Sequence, residues 1–196
     1  MVGKEFLSNT ITEMRDTDGP DEEAAWTDGA FEQVFAQNHA RLIAVLFRLV
    51  GNRARAEELA NDSLWKLYKQ GLPTDQPGNV QGWLYRTATR LGIDALRARA
   101  RRHRYEQAAA ADSEATDDSA SPLDDVLRAE AQRQVREVLS QLKPAQARIL
   151  ILRNSGFSYQ ELAQALGVKK SSVGTLLNRA EAKFEKFYRK LHGDKE

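Results

Sequence analysis

The sequence predicts an all-α protein made of two small helical domains joined by an acidic flexible linker. Apolar residues recur at three- and four-residue steps over most of the chain, and no segment shows the two-residue alternation typical of a strand. The length of 196 residues fits one medium domain or two small domains with separate cores. Residues 108–125 contain six acids and no base, which indicates a domain boundary.

Composition excludes several classes of protein. The net charge is +1 and there is no cysteine, which rules out disulfides and thiolate metal sites and favours a reducing cytoplasm. The three histidines are far apart, and no nucleophile–base set or phosphate-binding glycine loop is present, so we expect no metal, no cofactor and no enzymatic activity. There is no secretory signal, and the longest apolar run, LIAVLF, is far shorter than the ~20 residues that span a bilayer. We therefore expect a cytoplasmic protein without membrane insertion.

The first domain is expected at residues 27–107, after a polar, flexible N-terminal extension at residues 1–26. From Phe31 to Val50 the apolar residues follow an amphipathic helical pattern, and a turn at Gly51-Asn52 separates this helix from a second one. The second helix has an outer face rich in acids. Its inner stripe is Ala56, Leu59, Ala60, Ser63, Leu64 and Leu67.

A loop and a long basic helix complete this domain. The segment from Gly71 to Gly82 has two prolines and three glycines, which neither helices nor strands tolerate. The helix that follows continues through RARARRHR without a stop signal, and its expected buried stripe is Leu84, Thr87, Ala88, Leu91 and Ala95. It has seven arginines and one acid, and one stripe about 22 Å long is formed by Arg86, Arg90, Arg97 and Arg101. This stripe suits successive phosphates, although a solvated face would use the same residues.

The loop and the start of this helix also contain candidates for binding an unpaired base. Asn79, with Asp75 and Gln76, could bind a base extruded from the duplex, because an extended loop can form a pocket. Trp83 and Tyr85 could stack on unpaired bases, although Trp83 fits the core better.

The second domain is expected at residues 123–193, after the linker at residues 108–122, and contains a predicted helix-turn-helix. KPAQARILILRNSG predicts a helix with Pro144 in its first turn and an end near Gly156. Ser158 and Glu161 then form a capping box, and Gly167 ends that short helix in a left-handed conformation. Two steeply crossing helices need the apolar spacing of Leu162, Leu166, Val168, Val173 and Leu176.

The second helix of this motif, which Ser171 or Ser172 could cap, has an outer face suited to DNA. An ordinary helical hairpin would use the same apolar residues without contacting DNA. Gly174 is unusual here, because it weakens the helix and offers no side chain for base recognition. The candidates for contact with phosphates or base edges are Lys169, Lys170, Ser172, Thr175, Asn178 and Arg179.

Three motifs, in order along the chain, resemble those of the extracytoplasmic function (ECF) sigma factors, small sigma subunits of bacterial RNA polymerase. RAEELANDSLWKLYK is similar to the family's acidic core-binding helix, and NVQGWLYRTATRLGIDALRARARR to its promoter-melting segment. The C-terminal motif, from LKPAQARILILRNSG onward, is similar to the family's helix-turn-helix domain. The resemblance extends over roughly residues 31–191 and implies a region 2-like domain followed by a region 4-like domain.

The resemblance also implies a role for each group of residues. The coiled-coil clamp of the largest subunit of core RNA polymerase would bind Glu57, Glu58, Leu59 and Asp62. A non-template base of the minus-ten promoter element would bind Asn79, and the strand or adjoining duplex would bind Arg86, Arg90, Arg97 and Arg101. The minus-thirty-five element would bind Lys170, Ser172, Thr175, Asn178 and Arg179. An anti-sigma factor is a further implied partner.

The chain departs from the family pattern at three positions. Basic residues are common in the family where Gly174 and Glu181 stand, which predicts weaker or different recognition of the upstream element. Asn61 replaces a common glutamine, a mild change. Two other functions fit part of the sequence: a helix-turn-helix regulator that acts without polymerase, and a helical interaction module.

Overall fold

The computed structural model describes Trp26 and residues 29–71, 79–109 and 123–193. These residues form helices and no strand, as the sequence predicts, and none of the helices is long and apolar enough to cross a membrane. The predicted N-terminal extension up to residue 25, most of the breaker-rich loop and linker residues 110–122 lie outside the described residues. The helices are α1 (Ala30–Val50), α2 (Arg53–Gln70), α3 (Val80–Ala109), α4 (Leu123–Gln141), α5 (Pro144–Asn154), α6 (Tyr159–Leu166) and α7 (Lys170–His192).

Helices α1 to α3 pack on one another and form what we call the N-terminal bundle. The predicted inner stripe of α2 is buried in full. Helix α1 ends at Gly51, whose φ of 68° is the left-handed conformation that glycine adopts at little cost. Asn52 then caps α2, because its side chain accepts a hydrogen bond from the Arg55 N–H at 2.9 Å.

Helix α3 buries a wider face than the sequence predicts. The reason is that α3 lies between α1 and α2 on one side and the C-terminal helices on another. Of the predicted stripe, Thr87, Leu91 and Ala95 are only half-buried. The buried side chains of α3 are Leu84, Tyr85, Ala88, Thr89, Ile93 and Leu96. Close approach to α1 occurs at Gly92, where a Cβ atom would lie 2.8 Å from methyl carbons of both Leu46 and Leu49.

Helices α4 to α7 form the C-terminal bundle. Helix α5 has the predicted bounds within two residues, and α4 packs along α7, where the Tyr188 hydroxyl donates to Gln134 Oε1 at 3.0 Å. The backbone of Asp124 and Asp125 belongs to the first turn of α4, although the sequence assigned these acids to the linker stretch. Helical order therefore begins three residues before the predicted Val126, at Leu123.

The helix-turn-helix is formed by α6 and α7. The predicted capping box is confirmed, since Ser158 Oγ accepts from the Glu161 N–H at 3.3 Å and the Ser158 N–H donates to Glu161 Oε2 at 2.7 Å. Gly167 has the predicted left-handed φ of 69°. The predicted serine cap on α7 is wrong: Lys169 holds the N-cap position, so Ser171 and Ser172 lie inside the first turn.

The two bundles pack against each other. Their buried side chains form one continuous cluster, rather than the two separate cores expected from the sequence. Tyr85 of α3 and Phe157, which precedes α6, join the two halves with ring centroids 4.7 Å apart in an edge-to-face arrangement. The position of the C-terminal bundle therefore decides which surfaces of α3 remain accessible.

Candidate nucleic-acid interface

The outer face of α7 is exposed and carries the residues predicted to contact the upstream promoter element. The opposite face of the helix is buried through Val173, Leu177 and Ala180, which fixes its orientation on the bundle. Five polar side chains are thereby exposed along one helix: Lys170, Ser172, Thr175, Asn178 and Arg179. A helix that presents polar groups in this way is able to enter a major groove.

Gly174 lies on the partly covered side of α7. A Cβ atom built there would lie 3.9 Å from the ring of Tyr159, which is an ordinary van der Waals distance. Packing in the free chain therefore does not require glycine at this position.

The arginine stripe of α3 is divided. Arg90 and Arg101 are exposed, but Arg86 and Arg97 are half-buried against the C-terminal bundle. Arg86 donates from Nε to the Ala165 carbonyl at 3.1 Å and from Nη2 to the Gln164 carbonyl at 3.3 Å. Arg97 donates from Nε to the carbonyl of Ser140 at 3.3 Å and from Nη2 to that of Leu142 at 2.6 Å. The stripe predicted as one continuous surface is therefore not continuous here.

Asn79 acts as the N-cap of α3. Its Oδ1 accepts a hydrogen bond from the Gly82 N–H at 2.9 Å, and its Nδ2 donates to the Gln164 carbonyl at 3.3 Å. The predicted base-binding amide is thus engaged both in its own helix and across the bundles. Asp75 and Gln76, its predicted neighbours in that role, lie outside the described residues.

Tyr85 cannot stack on a base in this structure, which corrects the expectation from the sequence. Its side chain is 1% exposed and packs on Phe157. Burial raises the pKa of its hydroxyl to about 12, and the nearby Arg41 only partly offsets this. Trp83 is half-buried against the core, in agreement with the preferred interpretation of the sequence.

The outer face of α2 exposes Glu58 and Asp62, with Glu57 half-buried beside them. Glu57 accepts a hydrogen bond from Arg53 at 2.7 Å, and Glu58 pairs with Arg55, so these acids are partnered within their own helix and not by the arginines of α3. Leu59 is 3% exposed and belongs to the core. The role of Leu59 in polymerase binding therefore stays a prediction, and in this structure the side chain is used for packing.

An ion pair that the sequence did not predict joins the two bundles. Arg41 of α1 donates from Nη1 to Glu161 Oε1 at 2.7 Å, and its Cζ lies 3.8 Å from the ring centroid of Phe157. Burial alone would raise the pKa of Glu161, but hydrogen bonds from Ser158 and Arg41 lower it below its ordinary value. Glu161 thus serves both the capping box of α6 and the contact between bundles.

Helix C-termini provide most of the other polar contacts between bundles. Arg48 donates to the carbonyl of Asn154 at the end of α5, with a donor–acceptor distance of 3.1 Å. Arg97 and Arg86 bind carbonyls at the ends of α4 and α6 in the same way. The last carbonyls of a helix lack partners in the helix and carry partial negative charge, which favours arginine. These acceptors are main-chain atoms, so no side-chain pattern in the sequence could reveal them.

One arginine at this contact lies among other arginines. Arg148 of α5 is half-buried, donates to Thr89 Oγ1 at 3.1 Å and has no carboxylate partner among the described residues. Burial lowers its pKa, and the charges of Arg86 and Arg90 lower it further. Guanidinium groups stay protonated at neutral pH, so like charges face one another here.

Two family profiles match the chain in the order of its bundles. The profile of Sigma-70 region 2 matches residues 34–102, and that of Sigma-70, region 4 matches residues 132–184. The first match covers most of α1 to α3, and the second runs from α4 into α7. The chain belongs to the sigma-70 family.

Relatives narrow this assignment. The ECF RNA polymerase sigma factor SigE of Mycolicibacterium smegmatis is 25% identical over 82% of this chain, which spans 62% of the SigE length. SigJ of Mycobacterium tuberculosis, also an ECF RNA polymerase sigma factor, is 32% identical over 71% of this chain and 45% of its own length. The sigma factor CarQ of Myxococcus xanthus is 29% identical over 85% of this chain and 91% of its own. Within the sigma-70 family, the chain is therefore similar to ECF sigma factors.

A solved structure from Bartonella quintana also aligns with the chain. It is the sigma factor RpoE in complex with the anti-sigma factor NepR, and it aligns with a TM-score of 0.46 and 20% sequence identity. The alignment covers 84% of this chain and 99% of the other.

Proposed function

We propose that this chain directs core RNA polymerase to promoters and assists strand opening, without catalysing a reaction itself. The observation that carries the proposal is the separation of two kinds of exposed surface. Acids lie on the outer face of α2, whereas cationic and polar side chains lie on α3 and α7. One chain can therefore present a protein-binding and a DNA-binding surface at the same time. The matches to region 2 and region 4 support the proposal, because they cover the helices that carry these surfaces.

The proposed polymerase contact is the acidic face of α2, formed by Glu57, Glu58 and Asp62. These carboxylates would pair with cationic residues of the coiled-coil clamp of the largest subunit. Complementary charge accelerates docking and orients it, and it disfavours wrong partners. Leu59 would act from the core by holding the helix in place.

The proposed promoter contacts divide between the bundles, which we treat as region 2-like and region 4-like domains. The exposed face of α7 would bind the minus-thirty-five element as duplex. Asn79 and the arginines of α3 would bind the minus-ten element, including its non-template strand. Capture of an unstacked base would offset the few kcal/mol that unpairing costs, so binding itself would drive strand opening. An anti-sigma factor would be a further partner, and the chain would act in the cytoplasm, where polymerase and chromosome meet.

The experiment that tests this function is in vitro transcription with core polymerase on a promoter library. We expect promoter-specific transcripts with the chain and none with core enzyme alone. A helix-turn-helix regulator that acts alone would instead bind a specific duplex tightly without core enzyme, which a gel shift would detect. A helical interaction module would give no promoter-specific complex under either condition.

A charge reversal tests the polymerase surface separately. Glu58→Lys combined with Asp62→Lys should abolish association with core enzyme in a pull-down while leaving the helical circular dichroism spectrum unchanged, because both side chains are exposed. The matched control is Glu130→Lys with Glu137→Lys on α4, which changes the net charge equally outside the proposed surfaces. Retained association of the α2 variant would contradict the assignment of this face.

A further inference from the structure

We propose that the groove between α1 and α2 on one side and α4 and α5 on the other is a binding site for an amphipathic anion. Such a ligand has an apolar chain and a carboxylate or similar oxyanion at one end. The groove has a volume of about 1150 Å³, which is large enough for a small molecule. This inference goes beyond the proposed function and does not depend on it.

The walls of the groove are largely apolar, and part of this apolar surface is exposed. Phe47 of α1 is 42% exposed and Val135 of α4 is 39% exposed. The lining along α1 extends from His39 to Arg48, nine residues or about 14 Å. Exposed apolar surface in a concave site is typical of ligand binding. The apolar lining includes Ala40, Ile43, Ala44, Phe47, Val135 and Ile151.

Arg136 of α4 is the side chain that we expect to bind the anionic end. It is half-buried and has no hydrogen bond or ion pair with any described residue. Its guanidinium packs over Gly51 at the end of α1, where a Cβ atom would lie 2.8 Å from Arg136 Cζ. Burial lowers its pKa, and the charge of Arg99 lowers it further. A carboxylate would accept charge-assisted hydrogen bonds from this guanidinium and offset the repulsion between the two arginines.

The other charged residues of the lining leave the groove cationic. Arg53 is paired with Glu57, with Nε and Oε1 2.7 Å apart, and Arg48 uses Nη1 to bind the carbonyl of Asn154. Together with Arg136, three arginines of the lining therefore stand against one carboxylate, which favours an anion over an uncharged ligand. Glu57 also belongs to the acidic face of α2, so a bound ligand would lie beside the proposed polymerase surface.

Isothermal titration calorimetry of the full chain with octanoate tests the site. Octanol is the matched probe, because it has the same apolar chain without the carboxylate. We expect one octanoate to bind per chain, about tenfold more tightly than octanol, since a hydrogen bond to a charged group has this magnitude.

Replacement of Arg136 tests the recognition of charge. Arg136→Met keeps an apolar side chain of similar length, so it should bind octanoate about tenfold more weakly and octanol unchanged. Arg128→Met is the matched control and should keep the preference for octanoate, because Arg128 is exposed on the same helix outside the groove.

Replacement of the apolar walls tests the position of the chain. Phe47→Ser should weaken the binding of both probes about fivefold, because a bound chain would cover the exposed part of the ring. Val135→Ser tests the opposite wall in the same way if Phe47→Ser does not fold, as judged by circular dichroism. Leu127→Ser is the control, since Leu127 is exposed on α4 but lies outside the groove.

Three results would overturn the inference. The first is octanoate binding that is absent or no tighter than octanol binding. The second is an Arg136→Met variant that binds octanoate as tightly as the parent chain. The third is a dimer in sedimentation that Phe47→Ser dissociates and octanoate does not, which would assign the groove to a second copy of the chain. None of these measurements involves polymerase or DNA, so a failed transcription experiment would reject the proposed function without deciding this question.

Discussion

At the scale of single residues, Tyr85 places a hydroxyl in the core where no hydrogen-bond partner is found among the described residues. A buried polar group without a partner costs free energy, because it loses its hydrogen bonds to water. Its aromatic ring meanwhile packs on Phe157 and joins the two bundles. The ring, and not the hydroxyl, therefore accounts for the stabilising part of this side chain.

Tyr85→Phe should leave the free energy of unfolding unchanged or raise it by about 1 kcal/mol at neutral pH. The pKa of the hydroxyl is about 12 in the folded chain against an ordinary 10.0, so the folded state favours the protonated form. The parent chain should therefore keep its stability up to about pH 10 and lose about 2 to 3 kcal/mol relative to Tyr85→Phe as the pH rises towards 12. Denaturant unfolding of both chains at neutral and alkaline pH measures this, and parallel pH profiles would contradict it.

At the scale of helices, two glycines without positive φ serve different purposes. Gly92 allows α3 to approach α1, where a Cβ atom would contact Leu46 and Leu49 at 2.8 Å. Gly174 has ample room, with Tyr159 at 3.9 Å. The first glycine is required by packing, and the second is not.

Gly92→Ala and Gly174→Ala should therefore differ in their effects on stability. Both substitutions should add about 1 kcal/mol to the free energy of unfolding through helix propensity. Only Gly92→Ala also overpacks the core, which lowers that free energy by about 1 to 3 kcal/mol. We expect Gly174→Ala to raise the denaturant midpoint of the chain. Gly92→Ala should have a lower midpoint than Gly174→Ala, because the steric cost reduces its free energy of unfolding. Equal midpoints would show that the two leucines relax without penalty.

The sequence was sufficient for the helical class, the capping box and the left-handed Gly167, because these depend on periodicity and on backbone chemistry within a few residues. It also placed the polar face of α7 correctly, since the opposite face is fixed by apolar spacing. It was insufficient for α3, where the C-terminal bundle buries Tyr85 and engages Arg86. Local patterns do not record which distant helix will cover an exposed-looking face.

At the scale of the whole molecule, the contact between bundles combines apolar burial with unfavourable charge. Arg148 is the clearest case, since it is half-buried beside Arg86 and Arg90. Replacement of a poorly paired buried charge by an apolar side chain of similar length often stabilises a protein. Because salt screens the repulsion between like charges, the stability of the intact chain should also depend on salt through Arg148.

Arg148→Met should raise the free energy of unfolding by about 1 kcal/mol at roughly 0.1 M salt, and the gain should shrink at about 1 M salt, where like-charge repulsion is screened. Chemical denaturation at both salt concentrations measures the effect. Arg153→Met is the control, because Arg153 lies on the same helix but is exposed. If the gain in the free energy of unfolding does not depend on salt, its cause is better packing of the methionine and not relief of charge repulsion.

The acceptors at the ends of α4, α5 and α6 are peptide carbonyls, which every amino acid carries. Substitution within the C-terminal bundle consequently cannot delete them, and the packing of the two bundles can be adjusted by mutation only at the donor side chains or through neighbouring contacts such as Arg41–Glu161. If Arg86 and Arg97 also bind the promoter strand, any change to either one alters both the packing of the bundles and promoter binding. Selection would then have to adjust the packing of the bundles at the flanking ion pair, where a change leaves the proposed promoter-binding residues intact.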